Sequence, residues 1–336
     1  MFLAIYFIPR PVWKNESVEN ETWRTEFILL GLTDREELQL PLFLIFLLIY
    51  LMTVLVNIGI IAVISMSPQL HNPMYILLAN LSFLDFSYSS SICPRTLFDL
   101  LHEKKVISFH GCILQQYFFG ALATVEFFLL AAMAFDRYVA VCNPLHYITV
   151  MNRMVCIQLV VCSYATGFLD STLFTCYTFQ LPLCSNKLNH FFCDAPLLLR
   201  LSCVDTYPQE ALLFVFSCLN LIGTFLAILI SYAKIVAAIL RIRSAEGKQR
   251  AFSTCSSHLS CVIILYGTLL FMYFRPSSRY SLEHEKVVSV FYTIVIPLVN
   301  PLIYCLRNKE VKGALNTLRK RCFIGGAVVH PSAMAA

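Results

Sequence analysis

Charged residues are scarce in this chain. They make up 13% of its 336 residues, while hydrophobic residues make up 58%. A soluble domain carries about 25% charged residues, so the scarcity excludes an ordinary soluble protein and places the chain in lipid. The net charge of +5 is modest, and no concentrated basic stripe is present. The sequence therefore gives no support for nucleic-acid binding.

Other signals are also missing from the sequence. There is no internal two-fold repeat of the kind that transporters show, and no linker or second soluble domain. No catalytic histidine–carboxylate pair or metal-ligand pair lies within an apolar segment. These absences argue against a transporter or channel and against an intramembrane enzyme, which are the alternatives from other protein classes.

Seven apolar segments are each long enough to cross a bilayer, which takes about 20 residues of helix. An odd number of spans places the two termini on opposite sides of the membrane. We predict an all-α seven-helix bundle with spans at residues 40–66, 73–95, 109–141, 154–177, 208–241, 251–274 and 287–306.

The third span carries different chemistry at its two ends. Cys112 lies at its start, and Asp136 and Arg137 lie side by side near its end. A helix from Cys112 to Arg137 covers roughly 37 Å, enough to place them at opposite membrane surfaces. Cysteine suits the oxidising exterior and a helix-end arginine suits the cytoplasm, so the span resembles a signalling helix.

The orientation of the chain in the membrane is indicated by glycosylation acceptors near the N-terminus and by basic segments later in the chain. Asn15 and Asn20 each begin an N-glycosylation acceptor, which predicts an extracellular N-terminus. The loop 241–250 and the tail are basic, and residues 307–321 are expected to form an amphipathic helix on the anionic inner leaflet. Cys322 is a candidate palmitate site.

Sequence motifs spread over the whole chain support a family assignment. With them the chain resembles the rhodopsin-like G-protein-coupled receptors and, among these, the olfactory receptors of the tetrapod-type class. The resemblance implies an extracellular segment 1–39, a membrane domain 40–306 and a cytoplasmic tail 307–336. The motifs are GL (31–32), LHNPMYILLANLSFLD (70–85), MAFDRYVAVCNPLHY (133–147), HFFCD (190–194), SY (231–232), RAFSTCSSHL (250–259) and PLVNPLIYCLRN (297–308).

The resemblance implies that Asp136, Arg137 and Tyr138 form an activation lock. The guanidinium of Arg137 would pair with the neighbouring carboxylate in the inactive state and meet the G protein once the sixth helix moves outward. The alternative is structural: Arg137 would only extend its charged group from the helix end to the membrane–water interface.

A second switch is expected in the last span. Pro301 would bend the helix there beside Asn300, and the resemblance implies that Tyr304 and Tyr232 then meet through water near Arg137. An ordinary proline kink is the alternative. At the start of the sixth span, polar residues are expected to face water and the G protein, and they include Arg250, Ser253, Ser256 and His258, with Arg241, Arg243 and Lys248 nearby.

Four cysteines are predicted to lie outside the membrane, and four cysteines allow three connectivities. The resemblance favours Cys112–Cys193 and Cys184–Cys203, although Cys176 is close enough in sequence to compete. Closing such loops typically contributes 2–4 kcal/mol and would fix a lid over a ligand pocket.

Two acids, Asp85 and Glu126, fall in the middle of predicted spans. A lone charge there costs at least ~2.5–3.5 kcal/mol, so each must face inward and carry a proton or share a cation. Asn57 and Asn300 are expected nearby. We predict a sodium- or proton-binding polar cluster, with a purely structural hydrogen-bond network as the alternative.

The ligand pocket is expected between the outer halves of the third, fifth, sixth and seventh helices. Its walls would be mostly apolar, which suits a small, volatile and largely uncharged molecule. Asp194 in the lid could meet an amine, and a metal site at His190 is a weaker alternative because Cys193 is expected in a disulfide. The predicted wall residues are Phe119, Gly120, Ala123, Thr124, Phe127, Phe216, Ser217, Asn220, Tyr266, Leu269, Leu270, Tyr273 and Thr293.

The resemblance therefore implies an odorant receptor of the plasma membrane, expected in olfactory cilia, that activates a stimulatory G protein and raises cyclic AMP. The sequence predicts no cofactor apart from the sodium ion at Asp85 and Glu126. A chemoreceptor of the same fold expressed outside olfactory tissue is the alternative within the family.

Overall fold

The structure is a computed structural model that describes residues 26–33, 35–273, 282–307, 310–314 and 317. It leaves out the side chains of residues 250, 253–254, 270–273, 282–285 and 305–307. The predicted glycosylation sites Asn15 and Asn20 and the candidate palmitate site Cys322 lie outside the described residues. So do the side chains of Arg250, Ser253, Leu270 and Tyr273.

Seven long helices make up the bundle within the described part of the chain. In a bilayer every backbone N–H and C=O must be satisfied within the protein, which is why long apolar segments become helices. Six of the seven are long and apolar enough to cross a membrane, and α6 contributes the shorter apolar stretch Cys255–Leu269. The helices are α1 Glu36–Met66, α2 Pro73–Leu101, α3 Phe109–Cys142, α4 Arg153–Phe179, α5 Tyr207–Arg241, α6 Ala245–Tyr273 and α7, which runs from Leu282–Val290 through Phe291–Val295 to Ile296–Arg307.

The predicted helix boundaries differ most from the structure at two places. The second helix was expected to end at residue 95, but α2 continues through Pro94 to Leu101. Its last turn is stabilised by Arg95, whose guanidinium pairs with Asp99 at 2.6 Å and also donates to the carbonyl of Val106. At the sixth helix, residues 245–250 were expected in a loop but form the first turns of α6.

A π turn interrupts α7 immediately before Pro297. In this turn, Phe291–Val295, the N–H of Ile296 donates to the carbonyl of Phe291, five residues back. Pro297 has no N–H to donate to the carbonyl of Thr293, four residues earlier. A wider turn accommodates the loss of that hydrogen bond. The last helix is therefore irregular at this point for a local backbone reason.

A small sheet lies at one end of the bundle and was not predicted. Its strands are β1 Glu26–Leu29, β2 Val106–Ser108 and β3 Lys187–Leu188 in the order β2-β1-β3, with β1 antiparallel to β2 and parallel to β3. The chain turns after β1 at Gly31, whose φ of 75° suits glycine. We call the sheet and residues 180–206 the lid, and that end of the bundle the lid end.

The helix α3 is the centre of the bundle and contacts α2, α4, α5 and α6. The helix α4 packs tightly against it at Gly167, where an added Cβ would lie 2.6 Å from the carbonyl oxygen of Ala121 and 2.6 Å from a methyl of Val125. The predicted functional residues of α3 therefore face neighbouring helices on several sides.

Candidate ligand cavity and its connection to the Arg137 end

Two disulfides tie the lid to the bundle. Cys112 at the start of α3 is bonded to Cys193, and Cys184 is bonded to Cys203 within the lid. Gln115, one turn after Cys112, accepts a hydrogen bond from the backbone N–H of Cys193 at 3.0 Å. The structure thus contains both bridges that the family resemblance implies, and the Cys193 sulfur is not available for a metal at His190.

Beneath the lid lies a mostly apolar cavity of about 120 Å³. This volume is far larger than the roughly 10–15 Å³ that one water molecule needs, so a small organic molecule fits. Eight of the predicted wall residues line it, and they are Phe119, Gly120, Ala123, Thr124, Phe127, Ser217, Asn220 and Leu269.

Three predicted wall residues do not line this cavity. Thr293 is fully buried and its hydroxyl donates to the carbonyl of Ser289, four residues back in its own helix. Phe216 lies edge-on to Phe174, which itself faces the cavity. The hydroxyl of Tyr266 is hydrogen-bonded to the hydroxyl of Thr224 at 2.9 Å, so this side chain connects α6 to α5.

The sequence interpretation missed several wall residues. Gln116 could have been found, because it lies one turn before Gly120 and two turns before Thr124 on the same face of α3. Asp194 was expected in the lid as a group that could meet a ligand, and it does line the cavity, next to the disulfide-bonded Cys193. The missed residues are Tyr88, Gln116, Glu126, Ser171, Phe174, Ala195, Leu213, Cys218, Leu221, Leu265 and Tyr292.

The floor of the cavity connects to the predicted polar cluster. Glu126 lines the cavity, and its carboxylate accepts from the side-chain amide of Asn300 at 3.3 Å. The same amide nitrogen lies 3.3 Å from the carboxylate of Asp85. The amide of Asn57 instead donates to the carbonyl of Pro297 at 3.1 Å. Asn300 therefore joins two buried acids on α2 and α3 to α7.

At the opposite end of α3, Asp136 and Arg137 are both buried, with 1% and 6% of their surfaces exposed. The carboxylate of Asp136 accepts from the hydroxyl of Tyr147 at 2.8 Å. Burial and the adjacent Asp136 raise the pKa of Tyr147, so its hydroxyl remains a donor. The predicted Asp136–Arg137 ion pair is not formed among the described residues, because the carboxylate is turned toward Tyr147.

Tyr138, the third residue of the predicted activation lock, packs on the side of α3 that faces α5. The ammonium of Lys234 on α5 lies 5.0 Å from the centre of its ring. Such a cation–π contact is worth about 0.5–1 kcal/mol at an exposed site. Tyr138 thus links α3 to α5 at the Arg137 end.

His258 connects three helices close to Arg137. Its Nδ1 is 2.8 Å from the hydroxyl of Tyr232 on α5, and its Nε2 is 3.0 Å from the carbonyl of Leu130 on α3. The side chain is completely buried, so the expectation that His258 faces water was wrong. Ser256, also expected to face water, is half-buried.

Tyr232 and Tyr304 do not meet in this structure. The hydroxyl of Tyr232 is held by His258 and by the carbonyl of Cys255 at 3.2 Å. The hydroxyl of Tyr304 is buried and lies beside the thiol of Cys261 on α6 instead. Beyond α7, Glu310 accepts from the hydroxyl of Tyr75 at 2.6 Å, which attaches the start of the tail to α2.

Comparisons with known proteins agree with this architecture. A family model described as olfactory receptor matches residues 46–320. Olfactory receptor 5AP2 of Mus musculus is 52% identical over 301 residues, covering 89% of this chain and 95% of that protein. Olfactory receptor 8U9 of Mus musculus is 53% identical over 300 residues, covering 89% and 96%. Olfactory receptor 5F1 of Homo sapiens is 51% identical over 304 residues, covering 90% and 97%.

Proposed function

The chain belongs to the olfactory receptor family, a family of receptors and not of enzymes, and from that premise we propose that it detects a small, mostly apolar molecule in the cavity beneath its lid. Binding would activate a stimulatory heterotrimeric G protein at the Arg137 end and raise cyclic AMP.

One observation carries the proposal. Glu126 belongs to the cavity wall and also shares the amide of Asn300 with Asp85. A ligand that displaces the Glu126 side chain therefore changes a hydrogen bond to α7 directly. Coupling between distant sites requires such an element with two arrangements that both sites can bias.

The transmission step would use the chain's own contacts. A shift of Asn300 moves the kinked part of α7, which packs against α6. The helix α6 is held to α3 through His258 and Leu130. Release of that contact would let α6 swing out and leave Arg137 open to the G protein.

We also propose that a sodium ion or a proton balances the two buried acids. Asp85 and Glu126 are 2% and 5% exposed and converge on one amide nitrogen. Two ionised carboxylates so close in a low-dielectric interior need a counter-charge. Carboxylate oxygens are suitable ligands for a hard cation, so Asp85 and Glu126 would hold it beside the amide of Asn300.

The lid end would face the cell exterior at the plasma membrane, in olfactory cilia where the family is expected. Its two disulfides support this orientation because disulfides persist in oxidising compartments. The N-terminus, which precedes β1 in the lid, would lie on the same side.

The experiment is a cyclic AMP assay on cells with verified surface expression, using a chemically broad odorant panel and Arg137→Ala in parallel. A response that is lost in Arg137→Ala supports the proposed coupling. A response retained at full size in Arg137→Ala, or one seen in another G-protein pathway only, contradicts it.

The ion proposal has a separate test. Signalling of Glu126→Gln is compared with the unmodified receptor at several sodium concentrations. We expect the sodium dependence of basal and evoked activity to disappear in the variant. Identical sodium dependence in both proteins would contradict a sodium site at Glu126.

A further inference from the structure

Asp170 on α4 is a buried acid that the sequence interpretation did not single out. Its side chain is 7% exposed, and it is not among the described residues that line the cavity. One of its carboxylate oxygens accepts a hydrogen bond of 2.6 Å from the side-chain amide nitrogen of Asn220 on α5, and Asn220 does line the cavity. Asp170 therefore contacts a wall residue from behind.

This contact fixes which end of the Asn220 amide is turned away from the cavity. A carboxylate only accepts hydrogen bonds, so the donating end of the amide, Nδ2, must face Asp170. The accepting end, Oδ1, remains for the cavity and makes no hydrogen bond to a described residue. An amide that no acid holds could turn over and present either end. Asp170 thus makes Asn220 a hydrogen-bond acceptor toward a ligand.

A second acceptor on the cavity wall is Ser171, which follows Asp170 in α4. Its only hydroxyl proton is donated to the carbonyl of Tyr117 on α3 at 2.6 Å, so its oxygen can only accept from a ligand. Gly120 gives it room, since an added Cβ there would lie 3.2 Å from the Oγ of Ser171. Ser171 and Asn220 therefore both offer lone pairs at the wall.

Hydroxyl groups that can donate lie on the same wall. Ser217 lines the cavity three residues before Asn220, on the same face of α5, and Thr124 lines it on α3. Their hydroxyls can donate as well as accept. Such a wall suits a ligand group that also does both, and the hydroxyl of an alcohol is such a group. An ether only accepts hydrogen bonds, and an ammonium only donates them.

Resting on the proposed function, we propose that the ligand is an aliphatic alcohol and that Asp170 sets this preference by acting through Asn220. The ligand hydroxyl would donate to Oδ1 of Asn220 and accept from Ser217, and its hydrocarbon chain would lie against Phe119 and Phe127. A molecule of the same size without an O–H leaves Oδ1 of Asn220 without a donor, which is unfavourable at a buried site. Asp170 is a positioning residue, because it touches Asn220 and not the ligand.

The first experiment compares compounds of equal size. Straight-chain primary alcohols of four to eight carbons are each matched with the methyl ether and the primary amine that have the same number of heavy atoms. Two quantities are measured for every compound, the concentration that gives half-maximal cyclic AMP and the thermal stabilisation of the purified full-length receptor. We expect the best alcohol to act at a concentration about tenfold lower than its ether and its amine.

The second experiment measures a selectivity ratio, which is the effective concentration of the ether divided by that of the alcohol. Asp170→Asn keeps the shape of the side chain but lets the Asn220 amide turn over, so the ratio should fall about threefold or more. Asn220→Leu removes the acceptor at similar size and should bring the ratio close to one. Asp205→Asn removes an exposed acid of the lid and should leave the ratio unchanged.

The double variant Asp170→Asn/Asn220→Leu separates positioning from a structural role. If Asp170 acts through Asn220, the double variant has the same ratio as Asn220→Leu alone. A contact that only holds α4 to α5 would lower the melting temperature and weaken both compounds equally, without changing the ratio. An unchanged ratio in Asp170→Asn, or a further fall in the double variant, overturns the role given to Asp170.

The outcomes also distinguish this inference from the proposed function. Stabilisation by an alcohol without a cyclic AMP response contradicts the proposed coupling and leaves the alcohol site standing. An ether or an amine that acts as well as its matched alcohol overturns the alcohol proposal and leaves the proposed function standing. The alcohol proposal is also overturned if no alcohol of the series stabilises the receptor at millimolar concentration.

Discussion

The side-chain amide of Asn57 on α1 donates to the backbone carbonyl of Pro297 on α7 at 3.1 Å, across a sequence separation of 240 residues. This carbonyl lies four residues before Pro301, which has no N–H to offer it. Asn57 supplies the missing donor and also donates to the carbonyl of Thr53 at 2.9 Å. The carbonyl that Pro301 leaves without its helical donor is thereby satisfied by a neighbouring helix.

We expect Asn57→Leu to lower the stability of the receptor. The variant leaves the carbonyl of Pro297 buried without a donor, which costs about 1–3 kcal/mol. The measurement is the melting temperature of the purified receptor in lipid nanodiscs. Asn80→Leu is the control, because the amide of Asn80 bonds only to the carbonyl of Ile76 in its own helix. Equal melting temperatures for the two variants would contradict the role given to Asn57.

Replacing His258 by phenylalanine should raise basal signalling. His258 holds α6 to Tyr232 on α5 and to Leu130 on α3. Losing hydrogen bonds worth about 1 kcal/mol each shifts an equilibrium between inactive and active states by roughly fivefold or more. Basal cyclic AMP at matched surface expression is the readout.

Two further variants control this prediction. Tyr232→Phe should raise basal signalling less than His258→Phe, because it keeps the contact between His258 and Leu130. Ser260→Ala should have no effect, since the hydroxyl of Ser260 bonds only to the carbonyl of Ser256 in α6. A fall in basal signalling in His258→Phe at normal surface expression would contradict the proposal that His258 stabilises the inactive state.

The bundle could be predicted from the sequence because its signal is local. Each helix is long and apolar, and lipid leaves the backbone no alternative to a helix. The face of α3 that lines the cavity was also predictable, since Phe119, Ala123 and Phe127 repeat at helical spacing. Eight of the predicted wall residues line the cavity for this reason.

Contacts made at long range were not predictable in the same way. The strand β1 pairs with residues about 80 and 160 positions later, and no local pattern in the sequence specifies such partners. His258 was misassigned because a histidine near a polar helix start usually faces water, whereas here two partners on other helices bury it. The buried side-chain oxygen of Gln116, which has no hydrogen-bond partner among the described residues, is likewise visible only in three dimensions.

A methyl group at Gly167 should destabilise the receptor. The added Cβ in Gly167→Ala would lie 2.6 Å from the carbonyl oxygen of Ala121, and backbone cannot move aside as a flexible side chain can. Overpacking of this kind typically costs 1–3 kcal/mol. Gly223→Ala on α5 is a matched control, since nothing lies within 4 Å of its added Cβ. Melting temperatures should fall for Gly167→Ala and stay equal or rise for Gly223→Ala, and the reverse order would contradict this packing.

The lid should loosen in acid because of His190. Its imidazole is 2% exposed, lies 3.2 Å from the hydroxyl of Ser289, and stacks on Phe191. Burial and the nearby ammonium of Lys286 lower the pKa of His190 from 6.5 to about 3. The closed lid thus holds a neutral imidazole, whereas an opened lid exposes one that gains a proton below about pH 6.5. The stabilising contribution is complete above pH 6.5 and is lost as the pH falls toward 3.

By this linkage, lowering the pH from 7 to 5 should cost the closed lid about 2 kcal/mol. Hydrogen exchange of residues 182–203, corrected for the intrinsic effect of pH on exchange, measures it. His190→Phe should remove the pH effect, because the ring remains and the titrating nitrogen is gone. His110→Phe alters an exposed histidine and should leave the effect in place. Equal protection of the lid at both pH values in the unmodified receptor would show that His190 does not govern its closure.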